Sequence, residues 1–204
     1  GNAAGMSFAA KYKRNAPSDN VIVLESRDYV SFGGCGLPYF VGQQFETKDR
    51  LFARSVKATI ESGIDLRINS IVTNVNKDDK VVSYTCNDVI ENISYDKLII
   101  CSGANPIVPD FGTYNKDRVT TLTSMEDGHK LRSLLEDDNN KSIAIIGGGF
   151  IGLEVMDAAH ELGKEITLIE RDVNVLAMQY SPDMIEVVEE EIKDSGINLL
   201  TNTS

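Results

Sequence analysis

The fold is decided by the stretch Ser142-Ile143-Ala144-Ile145-Ile146-Gly147-Gly148-Gly149-Phe150-Ile151-Gly152. Its mainly apolar first half predicts a buried strand, and its glycines predict a turn into a helix that runs to about Leu162. A second apolar strand, residues 166–169, ends at Glu170, which lies 23 positions after Gly147. Glycines at such a turn admit a pyrophosphate to the N–H groups of the helix N-terminus, and the acid accepts hydrogen bonds from a ribose. The stretch therefore predicts a dinucleotide-binding turn.

The beginning of the chain repeats this plan. Gly1-Asn2-Ala3-Ala4-Gly5 opens a predicted helix over residues 6–14, and an apolar strand over residues 21–24 ends at Glu25. The spacing from Gly5 to Glu25 is 20 residues, close to the 18 residues that separate the corresponding pair in the other unit. This internal similarity predicts a second dinucleotide-binding unit, whose opening strand and first glycine we expect to lie outside the sequence.

The remaining segments complete an α/β pattern. The predicted strands between the two units are residues 65–68 paired with 71–75, residues 81–85 paired with 89–93, and a buried strand over 97–101. After the second unit, Ser181 is expected to cap a helix that begins at Pro182 and ends near Ser195, and residues 197–200 begin a further strand. Continuous apolar strands that alternate with helices indicate parallel sheets covered on both faces.

The predicted fold class is α/β, with two Rossmann-like dinucleotide-binding domains and a small antiparallel excursion in the first. The segment 110–115 is rich in polar residues and contains a glycine, so we place the domain boundary there and predict domains 1–112 and 113–204. Each domain has fewer strands than a complete dinucleotide domain needs. We therefore expect both domains to be incomplete.

The composition narrows the class of function. Among 204 residues, 31 acidic and 20 basic side chains give a formal net charge of -11, which argues against a nucleic-acid partner. No apolar run approaches the roughly 20 residues of a membrane span. Three widely spaced cysteines match neither a disulfide framework nor a metal site, and His129 and His160 have no ligand-type neighbours. We therefore expect a cytoplasmic protein without a membrane, nucleic-acid or metal partner.

Cys35 is the candidate catalytic residue. Most lone cysteines are small buried hydrophobes, but Gly34 and Gly36 leave room around this sulfur for a flat ligand and a reactant. A helix that starts within residues 36–39 would direct free N–H groups at the thiolate. Positions 38 and 40 hold proline and phenylalanine, so the oxidised state must be a sulfenic acid or a mixed disulfide. Cys86 and Cys101, in predicted strands, are interpreted as structural.

Several motifs resemble those of a known family. Ser31-Phe32-x-x-Cys35-Gly36 resembles the active-site signature of the single-cysteine pyridine nucleotide-disulfide oxidoreductases. The run Tyr95-Asp96-Lys97-Leu98-Ile99-Ile100, followed by Ser102-Gly103-Ala104, resembles the strand that closes on FAD in that family. The branch includes coenzyme A-disulfide reductases, NADH oxidases, NADH peroxidases and persulfide reductases. The resemblance implies FAD and NAD(P)H as cofactors, electron transfer through Cys35 and a homodimer for the full-length protein.

The resemblance also assigns residues to the two cofactors. Those expected at FAD are Gly1, Asn2, Ala3, Ala4, Gly5, Glu25, Ser31, Cys35, Ser102 and Gly103. Those expected at NAD(P) are Gly147, Gly149, Phe150, Ile151, Gly152, Glu154, Glu170 and Arg171. By resemblance, Phe150 is an aromatic gate beside the flavin and Glu154 lies near the nicotinamide carboxamide. Glu170 favours NAD, but Arg171 would tolerate the 2′-phosphate of NADP, so the preference stays open.

Two features favour a disulfide substrate over peroxide. Peroxidases and water-forming oxidases of the family carry a histidine where this sequence has Ala3, which neither donates a hydrogen bond nor accepts a proton. Residues 35–39 resemble the coenzyme A-disulfide reductases, although Gly34 departs from the asparagine often found there. The coenzyme A contacts implied by this resemblance are Ser7, Lys11, Arg14 and Ser31. The two cations lie three residues apart on one helix face, where they can meet phosphates.

The favoured function is therefore NAD(P)H-dependent reduction of a small disulfide, above all coenzyme A disulfide, by a flavoprotein. The alternatives are an NADH oxidase that reduces oxygen, a peroxidase or persulfide reductase, and a non-catalytic redox sensor that binds nucleotides. The basic helix face can also be read as simply solvated.

Overall fold

The computed structural model describes residues 1–203, and these pack into two compact units. The first unit contains Gly1–Gly33 and Asp49–Ala104, and the second contains Gly34–Lys48 together with the chain from Asn105 onward. The predicted domains, 1–112 and 113–204, differ from this division chiefly in the segment Gly34–Lys48. The compact units are groups of residues that pack together, whereas the predicted domains are nucleotide-binding folds. The domain ranges 1–112 and 113–204 therefore stay a prediction.

Six helices and eight strands are assigned within the described residues. In chain order they are α1 (Ala3–Asn15), β1 (Ile22–Leu24), α2 (Leu37–Val41), α3 (Val56–Glu61), β2 (Asp65–Arg67), β3 (Ser70–Asn76), β4 (Val81–Cys86), β5 (Val89–Ser94), α4 (Met125–Glu136), β6 (Ser142–Ile146), α5 (Phe150–Glu161), β7 (Glu165–Ile169), α6 (Pro182–Asp194) and β8 (Asn198–Leu200). None of these helices is long and apolar enough to cross a membrane.

The first unit is built on a short parallel sheet. Strands β1 and β2 pair in parallel, with Val23 opposite Leu66. Helix α1 covers this sheet through Met6 and Ala9, which lie three residues apart on its inner face and are both buried. Helix α1 begins at Ala3, three residues before its predicted start, so the glycine-containing loop leads into it at once.

A separate three-stranded antiparallel sheet, in the order β3-β4-β5, follows β2. The predicted antiparallel pair β4 and β5 is confirmed, and Asn87 and Asp88, both with positive φ, form its tight turn. The predicted pairing of residues 65–68 with 71–75 is wrong, because β2 pairs with β1 and β3 pairs with β4. Asn69, with φ of 51°, turns the chain between β2 and β3, and this turn separates the two sheets.

The predicted buried strand over residues 97–101 is also wrong. These residues form no regular secondary structure, and the exposed fractions of Ile99 and Ile100 are 50% and 73%. The interpretation of Cys101 as a residue inside that strand fails with it, because Cys101 is exposed. An apolar run becomes a strand only when a neighbouring strand supplies its hydrogen bonds, and no strand within residues 1–203 pairs with this run.

The second unit is built on a parallel sheet in the order β6-β7-β8. Helix α5 connects β6 to β7 and α6 connects β7 to β8, so the predicted α/β class with parallel sheets and flanking helices is confirmed. Leu168, Val175 and Ala159 are fully buried in its core. Helix α6 begins at Pro182 as predicted, but Ser181 makes no side-chain cap hydrogen bond.

A dense set of hydrogen bonds starts helix α4. Ser124 and Asp127 form a capping box, in which the Asp127 N–H donates to the Ser124 hydroxyl over 3.1 Å. Oδ2 of Asp127 accepts four hydrogen bonds, from Thr121 Oγ1, Thr123 N, Thr123 Oγ1 and Ser124 N. Burial acts to raise the pKa of Asp127, but these donors outweigh it and hold the pKa below the ordinary value.

Replacing Asp127 with asparagine should therefore lower stability in a pH-dependent way. Because the folded-state pKa is lowered, the carboxylate stabilises the fold fully above about pH 4 and loses this effect as pH falls further. Loss of the capping box costs about 1 kcal/mol, which corresponds to a Tm lower by about 2–4 °C at pH 7. Thermal unfolding from pH 3 to 7 measures this. Asp138→Asn, at an exposed carboxylate beyond the same helix, is the control, and a Tm difference independent of pH would contradict the prediction.

Candidate active site

The turn after β6 has the geometry that a nucleotide diphosphate requires. Gly147 adopts a φ of 107°, which favours glycine, and its N–H donates to the Ile169 carbonyl over 2.8 Å. Helix α5 follows at once, with Gly149 as its N-cap and no side chain capping it. The N–H groups of its first turn therefore remain available to an anion.

Two glycines of this turn serve different purposes. A Cβ atom on Gly152 would overlap the Gly147 carbonyl oxygen, so the close approach of helix to turn requires glycine there. A Cβ atom on Gly149 would meet nothing within 4 Å. The space beside Gly149 is therefore open to a ligand, whereas the space beside Gly152 is filled by the turn itself.

Glu170, at the end of β7, accepts hydrogen bonds from backbone N–H groups, one of which belongs to the glycine turn. Its Oε2 accepts a hydrogen bond from the Gly148 N–H over 2.5 Å, and its Oε1 accepts one from the Asp172 N–H over 2.7 Å. The carbonyl of Gly148 accepts a hydrogen bond from Leu176 N over 3.0 Å, and Leu176 has a positive φ of 52°. The fully buried Val175 packs directly beneath Gly148.

The first unit contains the same arrangement. Glu25, at the end of β1, contacts the Gly1 amino group through Oε2 over 2.8 Å and accepts a hydrogen bond from Arg27 N through Oε1 over 2.9 Å. The Gly1 carbonyl accepts a hydrogen bond from Ser31 N over 3.0 Å, and Ser31 has a positive φ of 54°. Val30, next to Ser31, is 2% exposed. Each turn is thus held by the same three hydrogen bonds.

The repetition extends to the end of the last parallel strand of each unit, β2 and β8. Asn69 and Asn202 both have positive φ, and each N–H donates to the carbonyl of the residue two positions after the acid, Arg27 and Asp172. This correspondence supports the predicted internal similarity far beyond the glycine spacing. The sequence carried a signal for it that spacing alone missed, since a valine follows each acid by five positions.

Glu25 is buried, and its Oε1 accepts hydrogen bonds from Arg27 N over 2.9 Å and from the Ser26 hydroxyl over 3.3 Å. A buried carboxylate held in one orientation is suited to accept hydrogen bonds from a ribose diol.

The chain matches the family model described as pyridine nucleotide-disulphide oxidoreductase over residues 1–204. The chain belongs to this family. It is 34% identical over 194 residues to the NAD(P)H coenzyme A polysulfide/persulfide reductase of Pyrococcus horikoshii. This match covers 95% of this chain and 43% of that protein. It is also 28% identical over 198 residues to the NADH oxidase of Enterococcus faecalis, in a match that covers 96% of this chain and 44% of that protein.

Solved structures agree with this membership. The NAD-dependent persulfide reductase from A. fulgidus superposes with a TM-score of 0.93 at 31% identity, over 99% of this chain and 38% of that one. The predicted family membership is thus confirmed. The chain spans about two fifths of the length of these relatives.

Cys35, the predicted catalytic residue, lies just before helix α2. Cys35 lies in a 3-10 turn, Gly34–Gly36, and its side chain is exposed. Helix α2 begins at Leu37, which lies within the segment 36–39 where a helix start would direct N–H groups at the thiol. The resemblance assigns Cys35 to the FAD site, whereas its segment packs within the second unit. No disulfide links it to Cys86 or Cys101, and all three thiols are free.

The other predicted residues of the first unit lie near its glycine turn or on helix α1. Ser7, Lys11 and Arg14 are exposed on α1 and follow one another by four and three positions, so they share one face. A Cβ atom on Gly5 would lie 3.4 Å from Cys101 Cβ, so the segment that continues into Ser102 and Gly103 passes beside the turn.

In the second unit, the remaining predicted residues are exposed at the start of α5 and after β7. Phe150 and Ile151 are about half exposed, and the Phe150 ring makes an edge contact with Tyr180 at 6.0 Å between centroids. Glu154 is exposed, and the Arg171 side chain is 81% exposed. No group of three or more potential metal ligands occurs among the described residues.

The two glycines of the second turn allow a paired test. Gly152→Ala should destabilise the fold by about 1–3 kcal/mol, because its Cβ atom overlaps the turn backbone. Gly149→Ala should lower Tm less than Gly152→Ala does but should weaken NADH binding, because its Cβ atom occupies open space beside the helix N-terminus. Thermal unfolding and NADH fluorescence titration measure the two effects. Equal NADH affinity for Gly149→Ala and the wild type would refute the nucleotide site.

Proposed function

We propose that this chain is the nucleotide-binding part of an FAD- and NAD(P)H-dependent oxidoreductase that reduces a small disulfide, above all coenzyme A disulfide, through Cys35. The observation that carries the proposal is the presence of two glycine turns held by the same hydrogen bonds, together with an exposed cysteine between glycines. Family membership supports it. By resemblance, the whole protein is a cytoplasmic homodimer.

The first turn fits FAD and the second fits NAD(P)H. Both α1 and α5 begin without a side-chain cap, and each has a hydrogen-bonded carboxylate at the end of the adjoining strand. The first-turn N–H groups would hold the diphosphates, while Glu25 and Glu170 would hold the riboses. FAD, when bound, supplies the transfer of two electrons from NAD(P)H to a sulfur centre.

Cys35 performs the sulfur chemistry in this proposal. Its thiolate attacks one sulfur of the disulfide RS–SR, which forms a mixed disulfide between Cys35 and RS and releases one RS⁻. Two electrons from NAD(P)H then break that mixed disulfide, which releases the second thiol and restores the Cys35 thiolate. The overall balance is NAD(P)H, one proton and RS–SR giving NAD(P)⁺ and two RSH.

The surroundings favour a disulfide over peroxide. Ala3 begins helix α1, where its methyl group offers no proton to a peroxide oxygen. Ser7, Lys11 and Arg14 present a hydroxyl and two cations on one exposed face, which suits the phosphates of coenzyme A. The relative from Pyrococcus horikoshii is named for coenzyme A-linked sulfur chemistry.

An NADH oxidase is the second candidate, favoured by the relative from Enterococcus faecalis. Oxygen consumption and coenzyme A-disulfide turnover, measured on one preparation with NADH, discriminate the two. A reductase turns over the disulfide faster than oxygen, and an oxidase shows the reverse order.

Cys35→Ser should reduce NADH-linked turnover of coenzyme A disulfide by at least about 10³-fold in the full-length enzyme, because serine forms no mixed disulfide. Cys86→Ser and Cys101→Ser are the matched controls and should retain activity. Activity is measured by thiol release under anaerobic conditions. Full retention of turnover by the Cys35 variant would exclude the proposed chemistry, and flavin that NADH leaves oxidised in the wild type would favour a redox sensor instead.

Arg171→Ala should change cofactor preference without affecting the fold. The Arg171 side chain is 81% exposed, and its Nε lies 3.7 Å from Asp172 Oδ1. If it contacts a 2′-phosphate, kcat/KM with NADPH should fall about tenfold, and kcat/KM with NADH should not change. Lys193→Ala, at an exposed cation on α6, is the control. An equal effect on both nucleotides would contradict this role.

A further inference from the structure

The segment that follows Cys35 is packed tightly against helix α4. A Cβ atom on Gly128 of α4 would lie 2.6 Å from Leu37 Cδ2, so the absence of a side chain at Gly128 lets the Leu37 side chain lie directly against α4. Gly42, directly after α2, faces α5 in the same way, since its Cβ atom would lie 3.0 Å from Ala158 Cβ. Leu37 and Val41 are buried in this contact. Helix α2 is therefore seated on two helices of the second unit.

Arg132 of α4 joins these elements through several contacts. Its Nη1 donates to the carbonyl oxygens of Phe40 and Phe45, each over 3.2 Å. Its guanidinium stacks over the Phe40 ring at 4.8 Å from the centroid. Its Nε donates to Glu136 Oε1 over 2.9 Å, which orients the guanidinium along α4. The side chain is 19% exposed, so these contacts are largely shielded from water.

These contacts bear on Cys35 because α2 is too short to be stable alone. A helix of five residues gains little from its own hydrogen bonds, and its order must come from tertiary contacts. The Phe40 carbonyl lies near the C-terminus of α2, where it also accepts a hydrogen bond from Gln43 N over 3.2 Å and where a cation is favoured. Cys35 lies two positions before α2, between two glycines that add no rigidity of their own.

We propose that Arg132 is a positioning residue for Cys35. Arg132 holds α2 at one place on α4, and the position of α2 determines where the Cys35 thiol lies. The inference deepens the proposed function and rests on it. It predicts that loss of Arg132 loosens residues 36–46 and slows the chemistry of Cys35, with no direct contact between Arg132 and any reactant.

The test uses the full-length holoenzyme with Cys86→Ser and Cys101→Ser, so that Cys35 is the thiol of this region that a probe reports. In this background, Arg132→Met should raise hydrogen exchange in residues 36–46 about tenfold. The kcat for coenzyme A disulfide should fall about tenfold and KM for NADH should stay within about twofold, because misplacement of a reacting group affects the chemical step. The rate of Cys35 modification by 4,4′-dithiodipyridine should change in Arg132→Met and return partly in Arg132→Lys.

Lys130→Met is the matched control. Lys130 lies on the same helix and also donates to two backbone carbonyls, those of Lys116 and Val119, on a different segment. Its loss should leave exchange in residues 36–46, kcat and the modification rate unchanged. Should Arg132→Met fail to fold, Arg132→Lys carries the same measurements, since lysine keeps the charge but not the stacked, forked geometry.

The outcomes are separable. Unchanged exchange in residues 36–46 would overturn the proposed contact, and raised exchange with unchanged kcat and modification rate would overturn its positioning role. Retained activity of Cys35→Ser would overturn the proposed function instead, while the exchange result for Arg132 would stand.

Discussion

The interaction on which this structure most depends is the carboxylate at the end of a strand that holds a glycine turn. Glu170 accepts hydrogen bonds from Gly148 N and Asp172 N, and Glu25 contacts the Gly1 amino group and Arg27 N. Without these bonds, a turn rich in glycine would lose most of its order, because glycine has the largest backbone entropy to lose. The acid therefore stabilises the turn, in addition to any hydrogen bond that it accepts from a ligand.

Local chemistry explains which features the sequence could predict. Strands β6 and β7 and helix α5 follow from apolar runs, glycines and spacing within about 30 residues. The run over 97–101 is equally apolar, yet it is exposed, because a strand depends on hydrogen bonds from a neighbour that its own composition does not reveal. The same limit explains the wrong pairing of residues 65–68, since the turn at Asn69 decides which sheet each strand joins.

The candidate site shows the same division. The glycines, the acids and Cys35 could be predicted as site residues from residue types and from the family resemblance, because their chemistry is local to the motif. Arg132 and Gly128 were not found, because they lie about 90 positions from the segment they hold and carry no motif of their own. The sequence identifies Cys35, but it does not reveal that the thiol is exposed or that long-range packing positions the helix beside it.

Both oxygens of each acid already accept a hydrogen bond from the protein, and this constrains how a ribose can be recognised. A carboxylate has about four acceptor positions, so Glu170 retains capacity for the 2′- and 3′-hydroxyls. Gly148 N and Asp172 N hold the Glu170 carboxylate in one orientation, so a movement away from an approaching 2′-phosphate would break both hydrogen bonds. In the proposed function, discrimination against a 2′-phosphate would be electrostatic repulsion from this carboxylate, which the exposed Arg171 beside it would offset. Under this proposal, cofactor preference would depend on the charges of Glu170 and Arg171, of which only Glu170 is held in place by hydrogen bonds from the backbone.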